Sequence, residues 1–251
     1  MGNSLSTEDV PGVDLCMRSF PPTLAARLAQ IRRNYGPEWD EIYDRLIRQL
    51  SAAGVGQGIL REGDTIPDFA LPSNHGRLWT ASDLVAEGPV VLSFNRGTWC
   101  PLCSAEMQAH ADAAAKIHDA GGRLFAVTSH ISADGVIARR TMALPYETLI
   151  DADFGVALAF GLMFQLPQEF QAIYADDGMN LPVYFDNNAW FLSVPATFVV
   201  GSDGVIAYAF RDIDFRERAD PDVLVRTVKR LTAKRSHSKS RMPNLARGPN
   251  E

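Results

Sequence analysis

Strand-forming and helix-forming stretches alternate along the middle of the chain, and this alternation constrains the fold more than any other feature. Strands are predicted at PVVLSFN (89–95), RLFAVTS (123–129) and YETLID (146–151). The first two are continuous apolar and β-branched runs, which are typical of strands buried on both faces. The stretches between the strands, residues 101–120 and 132–142, predict helices. Strands that alternate with helices in this way indicate an α/β domain.

Shorter elements complete this domain at either end. Near its start, DFAL and GRLWT predict two short strands joined by a turn at residues 74–76, and a short helix follows at 82–86. Near its end, PATFVVGSDGVIAYAF predicts a hairpin that turns at Asp203 and Gly204, and residues 221–231 predict a closing helix. We therefore expect a mixed central sheet flanked by helices.

An N-terminal extension precedes the α/β domain. Apolar residues recur at helical spacing through residues 23–53, with Gly36 and Pro37 between the two sets, so two helices are predicted. The last residues are basic, polar and poor in apolar side chains, which is typical of a disordered tail. The predicted organisation is a helical extension at 1–59, an α/β domain at 60–232 and a basic, disordered tail at 233–251.

The composition excludes several kinds of partner. With a net charge of -6 and a pI of about 5.4, the chain has no general attraction for phosphates or anionic lipids. It also lacks an apolar run of the roughly 18 residues that a membrane span needs. We expect neither nucleic acid nor a membrane as a partner. The three cysteines are too few for the disulfide framework of a secreted domain, which predicts a reducing, cytoplasmic environment.

Two cysteines, Cys100 and Cys103, stand where a predicted strand meets a predicted helix. Such a pair can serve as metal ligands, a structural disulfide, buried core residues or a redox pair. A structural zinc site needs four ligands, and the chain has neither a second cysteine pair nor histidines at the matching spacing. We therefore expect no metal and no cofactor. Cys16 is distant in sequence from this pair.

The position of the pair at a helix start favours redox chemistry. Pro101 suits the first position of a helix, which makes Cys100 the predicted N-cap and Cys103 the third helical residue. The unpaired N–H groups and the helix dipole favour a thiolate at Cys100, and a thiolate is the nucleophile in disulfide exchange and in peroxide reduction. Cys103 lies one turn further, within the ~4.4–6.8 Å Cα separation that a disulfide permits. We interpret Cys100 as the attacking thiol and Cys103 as the resolving thiol.

Three segments resemble a known family in the expected order. VVLSFNRGTWCPLCSAEM resembles the active-site segment of the thioredoxin superfamily. EGDTIPDFALPSNHGRLWTASDLVAEGPVVLSF resembles the opening of its peroxiredoxin-like AhpC/TSA branch, and SVPATFVVGSDGVI resembles the second signature of the superfamily. The resemblance covers residues 60–231 and implies a thioredoxin-like fold with dithiol chemistry.

The resemblance also implies roles for single residues. Trp99 matches the active-site tryptophan, and Pro195 matches a cis-proline that keeps a backbone edge free beside Cys100 for an incoming chain. Thioredoxins carry a buried acid that helps to deprotonate the second cysteine, but its position falls at Ser93. Glu106 is expected to complement the dipole of the active-site helix.

The chain departs from peroxiredoxins at two positions. Peroxiredoxins place a threonine or serine three residues before the attacking cysteine and an arginine near the cis-proline position, where this chain has Gly97 and Pro195. Thr98 is one residue out of register with the first position. Arg96 or Arg218 is expected to replace the missing arginine, and the alternative is that both are ordinary solvated or salt-bridged residues.

These features predict reduction of a hydroperoxide, with a sulfenic acid on Cys100 and regeneration by thioredoxin or a similar dithiol. Two alternatives stay open: thiol–disulfide exchange on protein disulfides, and a redox sensor or binding module without turnover. Residues 153–160 predict a short helix, and a long aromatic section to 193 predicts irregular structure. That section is interpreted equally as a lid or substrate wall over Cys100, as a subunit interface or as a cover for one sheet face. A homodimer is one candidate assembly.

Overall fold

A computed structural model describes residues 23–129 and 144–240. The strands are β1 (Ala70–Pro72), β2 (Leu78–Thr80), β3 (Val90–Asn95), β4 (Arg123–Thr128), β5 (Glu147–Ile150), β6 (Met163–Gln165), β7 (Phe191–Ser193), β8 (Ala196–Val200) and β9 (Ile206–Arg211). The helices are α1 (Leu24–Tyr35), α2 (Pro37–Ala52), α3 (Ala81–Ala86), α4 (Pro101–Asp119), α5 (Gly155–Ala159), α6 (Gln168–Asp176), α7 (Leu181–Phe185) and α8 (Pro221–Ser240).

The central sheet has five strands in the order β5-β4-β3-β8-β9. β3 and β4 pair in parallel, as do β4 and β5, whereas β8 is antiparallel to both β3 and β9. Every residue of β3 is buried, because its apolar run lies in the middle of the sheet and both of its faces are covered. The predicted mixed α/β architecture is confirmed.

The connection from β3 to α4 carries the cysteine pair. Cys100 is the N-cap of α4 and Pro101 is its first residue, as predicted. The helix ends before Gly121, whose φ of +83° is a conformation that glycine adopts without strain. Cys100 therefore lies at the carboxyl edge of the central strand, at the start of a helix of 19 residues.

The two predicted helices of the extension are confirmed. Thr23 caps α1, since its Oγ1 accepts a hydrogen bond from the amide of Ala26 at 3.3 Å. Gly36, with a φ of +82°, separates α1 from α2, and Pro37 begins the second helix. Buried side chains of both helices belong to the same hydrophobic core as the cysteine pair. They are Leu24, Leu28, Ile31, Tyr43, Leu46 and Leu50.

The prediction of irregular structure before the hairpin is wrong. β6 and β7 pair antiparallel at three positions, from Met163 with Ser193 to Gln165 with Phe191, and α6 and α7 lie between them. The aromatic section therefore has its own strand pair and helices, and its buried side chains belong to the same hydrophobic core as the cysteine pair. Pro182, near the start of α7, is the sequence signal for a helix start that the prediction overlooked.

The helix predicted to end at residue 231 continues to Ser240 as α8. The first part of the predicted disordered tail is therefore helical, because lysine, arginine and alanine in TAKRSHSKS are good helix formers. The helix predicted at 132–142 and the rest of the tail lie outside the described residues. The division into extension, domain and tail stays a prediction.

Truncation of a core residue in α2 tests whether the extension folds with the domain. Leu46 is fully buried, so Leu46→Ala should lower the free energy of unfolding by about 2–5 kcal/mol. Arg48→Ala, at an exposed position of the same helix, should change it by less than about 0.5 kcal/mol. Urea denaturation measures both variants, and an unchanged transition in Leu46→Ala would show that α2 is not part of the cooperative core.

Candidate active site

The loop between β3 and α4 is held by its own polar groups. The amide of Gly97 donates to Asn95 Oδ1 at 2.9 Å, and Ser104 Oγ donates to the carbonyl oxygen of Thr98 at 3.2 Å. The amide of Ser104 in turn donates to the carbonyl oxygen of Cys100 at 3.0 Å. These bonds tie the loop to the first turn of the helix and fix the position of Cys100.

Gly97 explains one departure from the peroxiredoxin pattern. Its φ is +102°, a conformation that favours glycine and strains residues with a Cβ. A threonine or serine at this position, as in peroxiredoxins, would therefore be strained in this loop conformation. Thr98 is half-buried, and it is its backbone carbonyl that takes part in the loop hydrogen bonds.

Arg96 lies directly against the predicted attacking thiol. Its Nη2 is 3.2 Å from Cys100 Sγ, and the guanidinium carbon lies 4.2 Å from the ring centroid of Phe215 and 5.4 Å from that of Trp99. The positive charge of Arg96 opposes the burial that raises the pKa of the Tyr174 hydroxyl. Arg96 is only 4% exposed, and its Nε and Nη1 have no hydrogen-bond partner among the described residues. The reading of Arg96 as a solvated residue is wrong.

Arg218 lies against the other thiol. Its Nη2 is 3.5 Å from Cys103 Sγ, and its Nε is 2.9 Å from Glu106 Oε2. Its Nη1 donates to the backbone carbonyl oxygens of Phe215 and Glu217. The sequence predicts that either Arg96 or Arg218 replaces the missing arginine. In the structure both lie at the cysteine pair, Arg96 against Cys100 and Arg218 against Cys103.

The surroundings of the two thiols drive their ionisation in opposite directions. Burial opposes a charge on Cys100, but a hydrogen bond from Cys103 and the positive charges of Arg96 and Arg218 outweigh it and hold the pKa of Cys100 well below its ordinary value. Burial, the hydrogen bond to Cys100 and the negative charge of that thiolate raise the pKa of Cys103 well above its ordinary value. These directions favour a thiolate at Cys100 and a protonated thiol at Cys103, which agrees with the roles predicted for the two residues.

Glu106 has a different position from the one expected. It lies beyond the first turn of α4 and is 1% exposed, so it does not act as a solvent-facing charge for the helix dipole. Its Oε1 accepts a hydrogen bond from Thr197 Oγ1 at 3.4 Å, and its Oε2 pairs with Arg218. Burial and the nearby Cys103 raise the pKa of Glu106 to about 7, although Arg218 opposes the shift. Its spacing of three residues from Cys103 places both residues on one helix face and is the sequence signal for the position of Glu106 beside the thiol.

Aromatic side chains of α7 cover the pair from one side. The Trp99 ring stacks on Tyr184 with 5.8 Å between ring centroids and an interplanar angle of 7°, and Phe185 meets its edge at 6.2 Å. Cys100 is 3% exposed and Cys103 is inaccessible. Among the three interpretations of the aromatic section, these contacts support a wall over Cys100.

The N-terminal extension covers the same region from another side. Trp39 packs edge-on against Tyr174, and Tyr43 packs edge-on against Phe215. Arg216 joins α2 to the segment that carries Arg218 by ion pairs with three carboxylates. These are Asp40 at 3.2 Å, Asp44 at 2.6 Å and Asp214 at 2.8 Å. These contacts of the extension with residues around Arg96 and Arg218 were not predicted from the sequence.

The expectations about the backbone at Pro195 are wrong. No described peptide bond is cis, so the Val194–Pro195 bond is trans, the isomer that an X–Pro bond favours unless its surroundings select cis. The backbone edge expected to be free is also occupied, because the Val194 amide donates to the carbonyl oxygen of Leu162 at 2.8 Å and the preceding β7 pairs with β6. Pro195 itself is buried directly before β8.

The described residues contain neither a group of metal ligands nor a membrane-spanning helix. Within residues 23–129 and 144–240, no three histidine, cysteine, aspartate or glutamate side chains are grouped as metal ligands would be. No helix in the described parts of the chain is long and apolar enough to cross a membrane. Cys100 and Cys103 are free thiols. Cys16 lies outside the described residues.

Comparisons with known proteins agree with the predicted family. Residues 63–209 match the AhpC/TSA family. The chain resembles the crystal structure of peroxidoxin BcpB from Mycobacterium tuberculosis with 23% identity and a TM-score of 0.49, over 68% of this chain and 98% of that chain. It resembles reduced 2-Cys peroxiredoxin from Plasmodium vivax with 14% identity and a TM-score of 0.50, over 72% of this chain and 99% of that chain. The second likeness confirms the predicted thioredoxin-like fold. No curated protein sequence matches the chain significantly.

Titration of the thiols tests the roles of the two cysteines. The β-carbon chemical shifts of isotope-labelled cysteine should show Cys100 ionising below the ~8.5 of a free cysteine and Cys103 ionising well above it. Arg96→Gln should raise the Cys100 midpoint because it removes the adjacent positive charge. Arg33→Gln, at an exposed position of α1, is the matched control and should leave it unchanged. A Cys103 midpoint below that of Cys100 would reverse the assignment.

Proposed function

Because the chain belongs to the AhpC/TSA family of thiol-dependent peroxidases, we propose that it reduces hydroperoxides through Cys100 and Cys103 and is regenerated by thioredoxin or a similar dithiol. The observation that carries this proposal is the buried guanidinium of Arg96, 3.2 Å from Cys100 Sγ, with two nitrogens that have no hydrogen-bond partner among the described residues.

The peroxide step uses the Cys100 thiolate and Arg96. The thiolate attacks one oxygen of the hydroperoxide, an S–O bond forms, and the O–O bond breaks. Charge develops on the leaving oxygen, and donors already aimed at that position stabilise it without reorganisation. The Nε and Nη1 of Arg96 are suitable donors, since they are buried beside the sulfur. The leaving oxygen takes a proton and departs as alcohol or water, and Cys100 becomes a sulfenic acid.

The resolving step uses Cys103. Its thiolate attacks the sulfur of the Cys100 sulfenic acid, the S–O bond breaks, and hydroxide leaves and is protonated to water. The product is a disulfide across one helical turn. A small external dithiol or a thioredoxin-type protein then returns both residues to thiols. Trp99 contributes to the wall over the sulfur, and Thr98 holds the loop through its carbonyl.

The arginine assignment predicts a kinetic effect. Arg96→Gln should slow sulfenic acid formation at least about tenfold, since loss of one transition-state donor typically costs ~10²–10³ in rate. Arg77→Gln removes an exposed arginine that lies over the Trp79 ring on another part of the surface, and it should react at the wild-type rate. Stopped-flow measurement of the first oxidation step decides the question, and an unaffected Arg96→Gln would remove this residue from the mechanism.

A paired assay on the wild-type protein tests the substrate class. Consumption of hydrogen peroxide or an alkyl hydroperoxide, dependent on a dithiol, is the expected result. Insulin-disulfide reduction should be weak, because the backbone beside Pro195 is already hydrogen-bonded and offers no free edge to an incoming chain. Disulfide reduction without peroxide consumption would instead identify a thiol–disulfide oxidoreductase, and inactivity in both assays would favour a redox sensor.

A further inference from the structure

The groups around the two thiols form a buried set of compensating charges. Arg96 and Arg218 each carry a positive charge, the Cys100 thiolate carries a negative one, and Glu106 carries a second negative charge whenever its carboxyl group is ionised. All four side chains are buried: the two arginines and Cys100 are 3–8% exposed, and Glu106 is 1% exposed. An uncompensated charge is costly in such surroundings, so a change in one member is expected to alter the ionisation of the others.

Arg218 is shared between a carboxylate and a thiol. Its Nε pairs with Glu106 at 2.9 Å, and its Nη2 reaches Cys103 Sγ at 3.5 Å. While Glu106 is ionised, it neutralises the cation that would otherwise stabilise a Cys103 thiolate. The Glu106 carboxylate therefore opposes ionisation of Cys103 through Arg218.

The other titratable groups near Cys103 and Glu106 carry no charge at neutral pH. His110 lies on the same helix, and burial together with Arg218 lowers its pKa to about 4. Tyr146, which precedes β5, has its pKa raised by burial and by Glu106, and its hydroxyl donates to the carbonyl oxygen of Met107 at 2.9 Å. From β8, Thr197 presents only a hydroxyl.

We propose that Glu106 is a positioning residue that keeps Cys103 protonated until Cys100 has been oxidised. This inference rests on the proposed peroxidase cycle. When the Cys100 thiolate becomes a neutral sulfenic acid, the buried set keeps two guanidinium charges and only one carboxylate. The hydrogen bond and the charge that hold the proton on Cys103 disappear with the thiolate. Ionisation of Cys103 then restores the balance, and the resolving thiolate forms when its target exists.

The step needs no reactant beyond the hydroperoxide of the proposed cycle. Cys103 gives up its proton, and its sulfur forms a bond to the Cys100 sulfur. The S–O bond breaks with its electron pair on oxygen, and the departing hydroxide takes up one proton to give water. Both sulfurs end in the disulfide, and the two electrons have passed to the peroxide.

The test is a titration of Cys103 in three variants, followed by the β-carbon chemical shift of isotope-labelled cysteine. Glu106→Gln keeps the shape of the side chain and removes its charge, so Cys103 should ionise at lower pH. The proton concentration at which it is half-ionised should be at least about tenfold higher than in the wild type. Glu106→Asp keeps the charge and should stay close to the wild-type midpoint. Glu217→Gln removes the neighbouring exposed carboxylate, which pairs with Arg32, and should have no effect.

Two further variants keep the proposal falsifiable if Glu106→Gln does not fold. Cys100→Ser gives a neutral group in place of the thiolate, as oxidation does, and should shift the Cys103 midpoint in the same direction by at least about tenfold. Thr197→Val removes a hydrogen bond to the carboxylate and leaves Glu106 in place, so it should shift the midpoint the same way by less.

A Cys103 midpoint that agrees within about twofold between the wild type and Glu106→Gln, or between the wild type and Cys100→Ser, overturns the proposal. Equal shifts in Glu106→Gln and Glu106→Asp also overturn it, since they would indicate a packing role rather than a charge. None of these titrations contains peroxide, so their outcome is independent of whether the protein proves to be a peroxidase.

Discussion

Two guanidinium groups lie in the interior beside the cysteine pair, and the rest of the site is arranged around their charges. A buried cation is destabilising unless an anion or a set of acceptors compensates it. Arg96 lies against the Cys100 sulfur and the face of the Phe215 ring, and Arg218 has Glu106 and two backbone carbonyl oxygens. The same requirement lowers the pKa of Cys100, because a negative charge on its sulfur compensates the buried arginine and the arginine stabilises that charge.

A short stretch of chain links this charge arrangement to the N-terminal extension. In residues 214–218, Phe215 lies under Arg96, Arg216 pairs with two carboxylates of α2, and Arg218 contacts Cys103. Three side chains within four residues thus connect both thiols to the extension. The family match ends at residue 209, before this stretch begins, so the contacts that set the ionisation of the pair come partly from outside the matched region.

The sequence predicted the parts of the structure that depend on local signals. The continuous apolar run of β3, the Cys100-Pro101 helix start and the Gly36-Pro37 break between α1 and α2 act over a few residues, and all three are confirmed. The partners of the buried charges depend on segments that are distant in sequence. Glu106 meets Arg218 across 112 positions of the chain and Thr197 across 91, so its spacing within α4 could indicate an inward face but not what it faces. The prediction of a free backbone edge beside Pro195 is wrong because β6 pairs with β7 and occupies the neighbouring backbone. That pairing lies in the section predicted to be irregular.

The cover over the thiols also bears on how the protein can be recycled. A disulfide between Cys100 and Cys103 would lie beneath α7 and the extension, since neither sulfur-bearing residue is accessible beyond 3%. A protein reductant has to approach one of these sulfurs in line with the bond that it breaks, which the closed arrangement does not permit. If the protein is recycled through this disulfide, as proposed, each turnover would include an opening of the cover before the reductant can react. At high reductant concentration the rate of recycling would reach a plateau set by how often this opening occurs, however reactive the reductant is.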